Sequence, residues 1–439
     1  MILITLSIIE GILLLSGKII LGPITSSTVH FLASASIGIL TIYFSNKKFK
    51  GDYNIRFNPA KSLINSRTKN IVTLISIMIF ASIATVIIKQ HAIDHKNVIS
   101  TGSDVIPLVM NMNKRLLSGE FPYLPLPVPE LSYTLIPNYL PLQWLPYLPA
   151  EILNFDYRFI PILLIIIALL MYVRKTNKID MDNTIRLILI IFPLLFLTLY
   201  YIIKKGEVQR TLEVTMAAFY LLLSMAFLNR EKIIFLSITI LLCLLSRFSL
   251  VLWLPVAGIV LLHEFKFKQT FKIIGLVITG VILIYGPFLY QDPYIFFKGL
   301  EYYKNASLGV WEIQDWQGNV QYPYFIGNGL GLDVFIYKYG PTDLREKINL
   351  AEKLQLGVSL IFITVAIIIY LVRKTKVNAD AFLLGTLKIY LTIFYAFIIM
   401  PYNYLYLVPF IINITILYMV AKNSNLLIQV TPPNNINPV

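Results

Sequence analysis

Asp104 is the acid whose setting most invites chemistry: it follows Gly102-Ser103 and opens a segment, Val105 to Leu117, patterned as a short helix. A carboxylate held there could take a proton from a hydroxyl, given hydrogen-bond reach and a pKa matched to the working pH. Asp is equally a preferred helix N-cap, and the two roles are compatible. Glu120 sits in a Gly-Glu-Phe-Pro-Tyr turn, where most glutamates are simply solvated. His91 and His95 stand at i and i+4 with Asp94 between them, a spacing able to bind a divalent metal, although no general-base glutamate follows the first histidine. Among the bases, Lys204, Lys205 and Arg210 join two apolar runs, and Arg247 lies in Leu-Ser-Arg-Phe-Ser between two more. An arginine at the mouth of a helical bundle offers a planar fork to phosphate, so a polyprenyl phosphate or diphosphate head group is a candidate ligand. The competing readings are snorkelling to headgroups and pairing with Glu207 or Glu213. Tyr123, Trp144, Trp311 and Trp316 could stack on sugar rings, yet Trp and Tyr are also enriched at every membrane interface.

Two polar stretches must position these residues. The first, His91 to Arg158, carries Pro122, Pro125, Pro127, Pro129, Pro137, Pro141, Pro146 and Pro149. Prolines at this density remove backbone donors and fix φ, which excludes a long helix or a central strand and leaves a shaped loop with short helical turns. The second, Tyr290 to about Glu352, begins with an amphipathic segment suited to a membrane surface and continues through Trp311, Trp316 and Gly327-Asn328-Gly329-Leu330-Gly331.

The rest of the chain is apolar. Of 439 residues, 57% are hydrophobic and 14% charged, with a mean hydropathy of +0.73; soluble domains carry roughly 25% charged residues. This composition describes an all-α polytopic membrane protein. Cys243 is the single cysteine and lies in an apolar run, so it builds neither a disulfide framework nor a cysteine metal site. The net charge of +14 falls in short segments between apolar runs, where topology uses it, and nucleic acid is not an expected partner. No P-loop, GxSxG elbow or dinucleotide fingerprint supports a soluble nucleotide-consuming mechanism.

About twelve spans meet the length and apolarity of a membrane helix: 2–22, 28–45, 71–88, 159–173, 185–203, 211–228, 233–246, 249–262, 273–290, 355–372, 381–399 and 402–421. The segment after the second span holds Lys47, Lys48, Lys50, Arg56, Lys61, Arg67 and Lys69 against Asp52 alone, which makes it cytoplasmic. Alternation then puts Arg174, Lys175, Arg230, Lys232, Lys266, Lys268, Arg373 and Lys374 on the same side, with both termini inside and the acid-rich loops outside. The organisation expected is N-terminal helices with a basic loop over 1–88, a first outer loop over 89–158, central helices over 159–290, a second outer loop over 291–354, C-terminal helices over 355–421 and a tail over 422–439. Abundant Ile, Asn and Lys point to an AT-rich bacterial genome and so to a bacterial inner (plasma) membrane.

The arrangement resembles the GT-C superfamily of integral-membrane glycosyltransferases, in particular its mannosyltransferase-like branch. The residues that carry the likeness are Asp104, the helix ending Leu116-Leu117-Ser118-Gly119, Pro122-Tyr123 and the proline-rich run to Pro149, then Ser246-Arg247-Phe248, Gly286-Pro287 and Pro401-Tyr402 through Pro409. It spans roughly residues 90 to 420 with loose motifs. The acid here follows the third span, whereas such enzymes usually place it after the first, and an acidic pair seen in some relatives is missing. The resemblance implies inverting transfer of a hexose such as mannose from a polyprenyl-phosphate donor to a lipid, glycan or protein acceptor on the non-cytoplasmic face. Asp104 would be the base and Arg247 a donor-phosphate contact. No cofactor is required by this reading, and a divalent metal is the one left open. Two other readings compete: a lipid-linked oligosaccharide polymerase or ligase, which would use a glycan on a diphosphate carrier, and a secondary transporter, for which Glu10, Lys18 and Glu213 are the charged candidates within spans.

Overall fold

The computed structural model describes residues 2–16, 21–44, 64–90, 104–128, 133–179, 181–208, 211–265 and 267–428. Among them the chain is almost wholly helical, and eight helices are long and apolar enough to cross a membrane. In order the helices are α1 (Ile2–Ser16), α2 (Pro23–Phe44), α3 (Ser66–Gln90), α4 (Val105–Leu117), α5 (Phe159–Thr176), α6 (Asn183–Ile203), α7 (Val214–Phe227), α8 (Ile233–Leu244), α9 (Leu254–Glu264), α10 (Phe267–Gln291), α11 (Ile295–Trp311), α12 (Asp333–Tyr339), α13 (Leu344–Arg373), α14 (Ala379–Ala396) and α15 (Leu407–Ile428). Helices α1, α7 and α8, and α9 with the turn Phe248–Trp253 before it, are apolar but shorter than a full span. The protein is an all-α polytopic membrane protein.

Burial sorts these helices into a centre and a rim. Helices α14 and α15 are buried along most of their length, whereas α10 and α13 expose Ile278, Ile282, Leu283, Ile361 and Ile368 outward. An apolar face left open in this way suits lipid, which is as apolar as the side chains that meet it. The tightest seam joins α2 to α14. A Cβ on Gly38 would come within 2.7 Å of Gly385 O, and one on Gly385 within 2.7 Å of Gly38 O, so only glycines allow the two backbones this approach. Beside them Ser34 and Thr392 share a 2.7 Å hydrogen bond across the seam.

Arg230, Lys175 and Lys69, from three of the segments expected to be cytoplasmic, meet at one end of the bundle. Arg230 pairs with Glu264 (3.3 Å) and Asp380 (2.7 Å), Lys175 donates to Met225 O, and Lys69 donates to Asn177 Oδ1. These contacts join the starts of α3, α8 and α14 to the ends of α5, α7 and α9. The proline-rich stretch, the end of α8 and the start of α7 lie at the other end.

Two expectations are refined. Helix α13 begins at Leu344, eleven residues ahead of the apolar span 355–372. Its first turns carry Arg345, Glu346, Lys347, Glu352 and Lys353, so hydropathy misses them, while Asp343 caps the helix by accepting from Glu346 N at 3.0 Å. Within the first polar stretch Leu126–Val128 and Tyr133–Leu135 pair as a small antiparallel ribbon, with Pro127 opposite Thr134. Pro is tolerated there because a two-stranded ribbon has only edges.

Candidate functional site

The polar end of the bundle encloses a cavity of about 890 Å³, lined by residues from both outer stretches, from the ends of α7, α13 and α14, and from the segments that follow α8 and precede α15. Asp104 and Arg247, far apart in sequence, both line it.

The docking of the first polar stretch explains that meeting. Helix α4 ends on Gly119, whose φ of +76° turns the chain left-handed at the position that glycine favours. Arg115 closes the turn by donating to Leu124 O and to Pro125 O, the latter at 3.0 Å. The Tyr123 hydroxyl donates to Tyr139 O (2.9 Å) and accepts from Trp144 Nε1 (3.1 Å). That ladder fixes the backbone at Tyr139, whose ring lines the cavity. Leu142 N donates to Leu245 O (2.9 Å), two residues before Arg247. Tyr147 OH donates to Leu212 O (3.2 Å) and bonds Thr215 Oγ1, on either side of Glu213. From the opposite side α11 crosses closely, because a Cβ on Gly299 would lie only 3.1 Å from Asn138 Cα.

Asp104 occupies the N-cap position of α4, but its side chain makes no capping hydrogen bond. Burial raises its carboxyl above the usual range. Tyr139 and Tyr302 feel its field: burial and then the Asp104 carboxylate push both phenols up. At the far side of Tyr139, Arg247 holds Glu213 through Nη1–Oε1 at 2.7 Å and Nη2–Oε2 at 3.0 Å, and its guanidinium also reaches Tyr395. A guanidinium has five N–H donors, so this pairing leaves some for a ligand oxygen. The cavity wall continues through Glu207, which accepts from Asn403 Nδ2 at 3.0 Å, and through Glu352, which pairs with Lys304 at 2.5 Å.

The other sequence candidates scatter. Lys204 stands behind the wall, 3.7 Å from Glu207, and Lys205 is exposed outside it. Glu120 is exposed and away from the cavity. Tyr123 and Trp144 are core residues, packed with Phe288 and with their polar atoms paired to each other, so neither presents a ring face to a sugar. Trp311 is likewise fully buried and donates to Ile399 O at 2.8 Å. Trp316 is 69% exposed and packs on Tyr324, which lines the cavity, so it stands near the rim. Arg210, His91, Asp94, His95 and Lys18 lie outside the described residues. Among the described residues no group of three or more His, Cys, Asp or Glu side chains is placed to hold a metal ion.

Glu352, Gln355 and Tyr395 belong to this site without having drawn notice as candidates. Glu352 and Gln355 sit in the charged first turns of α13, and the helix start at Asp343 was the signal that could have found them. Tyr395 lies inside an apolar span, where one tyrosine among many carries no signal.

Fold and site together define a polytopic helical membrane protein with a tyrosine-walled cavity that holds one uncapped acid and one paired arginine. No protein-family model, curated protein or solved structure matches the chain.

Proposed function

We propose that the protein is a membrane glycosyltransferase that moves a sugar, a hexose such as mannose, from a polyprenyl-phosphate donor to a lipid, glycan or protein acceptor. The observation that carries this reading is the single cavity shared by Asp104 and Arg247. Asp104, free of capping duty, takes the proton from the acceptor hydroxyl; that oxygen attacks the anomeric carbon as the bond to the phosphate oxygen breaks, with inversion. Arg247 holds the departing polyprenyl phosphate. A carboxyl raised by burial is a stronger base than one in water, which suits the task. One guanidinium with N–H donors left over from its pair with Glu213 suits the lone phosphate of a monophosphate carrier better than the two phosphates of a polymerase or ligase donor.

The reading includes twelve spans, with the four short apolar helices completing the bundle, and both termini on the cytoplasmic side of a bacterial inner membrane. Its support is that the short connections carrying Lys175 and Arg230 lie at the end opposite the cavity, as the positive-inside rule expects of a cavity facing outward.

A secondary transporter is the second reading, favoured by one observation. Glu10 and Lys388, each fully buried, pair at 2.6 Å within the helical core, and charged groups at such depth commonly mark transport pathways. Transfer assays with purified protein in lipid, supplied with polyprenyl-phosphate mannose or another hexose, separate the two. Sugar transfer that needs Asp104 supports the enzyme. Intact donor across several monophosphate-linked sugars, with verified folded protein, overturns it.

A further inference from the structure

The buried ion pair is complete, and that completeness exposes an unbalanced charge nearby. Lys388 donates to Glu10 Oε1 (2.6 Å), Glu10 Oε2 (2.9 Å) and Pro409 O (2.9 Å), which engages all three N–H groups of its ammonium. Asn413 Nδ2 adds a bond to Glu10 Oε2 at 2.7 Å. Lys388 therefore has no donor left for a second carboxylate.

Asp333, in the first turn of α12, is such a carboxylate: it is 1% exposed, and neither oxygen has a hydrogen-bond partner among the described residues. A Cβ on Gly331 would collide with the Tyr406 hydroxyl and come within 3.2 Å of Asp333 Oδ2, so both oxygens border the same space. The Tyr406 ring meets His30 edge-on at 5.4 Å, and the His30 ring is hydrogen-bonded to the Leu330 backbone. Ser26 and Ser27 precede His30 by one turn on α2, which packs against both the Ile326–Asn328 turn and α12. The Tyr406 hydroxyl and both oxygens of Asp333 lack a partner among the described residues, and so do the Ser26 and Ser27 hydroxyls and His30 Nε2, one turn apart on the face of α2 that meets Tyr406. Nearby lysines do not supply the missing charge: Lys338 lies over the Tyr339 ring and Lys347 over the Tyr337 ring. Buried polar atoms without a protein partner are costly in such number, and the space they border suits a ligand.

We infer that this chamber binds a small, hard monovalent cation of the sodium class, with Asp333 as anionic ligand and the Tyr406, Ser26 and Ser27 hydroxyls as neutral ligands, directly or through water. Oxygen donors suit a hard cation. A single carboxylate balances a single charge, and among the described residues no group of three or more His, Cys, Asp or Glu side chains gathers to hold a divalent ion. A proton on Asp333 would cancel its charge but leave the remaining oxygens as they were, whereas a hydrated ion satisfies charge and lone pairs together. The bound ion would clasp the Ile326–Asn328 turn and α12 to α2 and to Tyr406. That seam already holds through Asn328 Nδ2 to Pro401 O (2.6 Å) and Leu332 N to Ala396 O (2.7 Å), beside residues that wall the cavity.

The test is thermal unfolding of the full-length purified protein in detergent at pH 8, with sodium chloride replaced stepwise by choline chloride at constant ionic strength. The midpoint should rise saturably with sodium, by the linkage that any ligand of the folded state obeys. Asp333→Asn should abolish the response, and Tyr406→Phe should raise the half-saturating sodium concentration about tenfold. If Asp333→Asn fails to fold, Tyr406→Phe carries the test alone. Superimposable sodium and choline curves, or a sodium response unchanged in the variants, overturn the proposal. So does a midpoint that follows pH in choline and ignores sodium, because Asp333 would then hold a proton instead.

Discussion

The cavity at Asp104 and the ion pair at Glu10 both place charge inside a helical bundle, yet they treat it in opposite ways. At Glu10 and Lys388 every strong donor is engaged and no solvent reaches either group. At Asp104 the carboxylate is uncapped, and Arg247 keeps donors in reserve beside about 890 Å³ of open space. A fully satisfied buried charge pins helices; an incompletely satisfied one beside a cavity is available to a ligand. Lys388 joins α1, α14 and α15 at one point, which is a structural task, whereas the Asp104 side chain makes no capping hydrogen bond at the start of α4.

The largest effect expected from breaking this contrast is at Lys388. Lys388→Met strands the Glu10 carboxylate in the core and should cost about 3–5 kcal/mol of stability, seen as a loss of folded protein or a much lower unfolding midpoint in detergent. Adding Glu10→Leu should restore most of the loss, because a well-packed apolar pair replaces a buried ion pair with little penalty. A single variant that stays stable but loses function would show that the pair works rather than pins.

Next is Arg247→Lys, which keeps the charge and a contact to Glu213 but removes the planar fork. Half-saturation by the donor should rise about 10- to 150-fold with a nearly unchanged unfolding midpoint, as roughly 1.5–3 kcal/mol for a charge-assisted hydrogen bond implies. Unaltered donor affinity together with unaltered turnover would detach Arg247 from the phosphate.

Tyr123→Phe should cost about 1 kcal/mol of stability, since it removes the hydroxyl that joins Trp144 to Tyr139 O. Turnover should fall with it if that ladder positions the Tyr139 ring. The pH profile gives the finest discrimination. Burial raises the Asp104 carboxyl, so transfer should decline, as pH falls, at a value above the ordinary aspartate pKa of about 3.9. The linked stability runs the other way: with a folded pKa above the unfolded one, its contribution is full below the unfolded value and lost as pH rises through the folded one. Asp104→Asn should remove this stability slope.

The two regions also differ in how far the sequence discloses them. Helix α4 could be bounded at Val105 and Leu117 because an acid precedes it and Ser118-Gly119 ends it. Asp104 and Arg247 stood out because an acid after a span and an arginine between two spans break the local pattern. Lys388 breaks the apolar run Leu387-Lys388-Ile389 and was missed among the charged residues within spans, and since its partner Glu10 is at the other end of the chain no spacing rule links the two. Trp144 and Trp311 misdirect for the opposite reason: large aromatics in polar stretches look like ligand platforms, and here each fills the core beneath a loop with its N–H paired. The early start of α13 escaped because hydropathy reports where a helix meets lipid, whereas its thirty residues extend about 45 Å and continue past the apolar span.

The most direct measurement is sugar transfer by purified protein in lipid, with polyprenyl-phosphate mannose or another hexose, extracted host lipids as acceptors, and Asp104→Asn alongside. Donor consumption by the wild type, reduced about 10²–10⁴-fold in Asp104→Asn with an unfolding midpoint no lower than wild type, is the expected result. Equal consumption by the variant, or none by folded wild-type protein across several monophosphate donors, would contradict the assignment of this cavity as a glycosyl-transfer site.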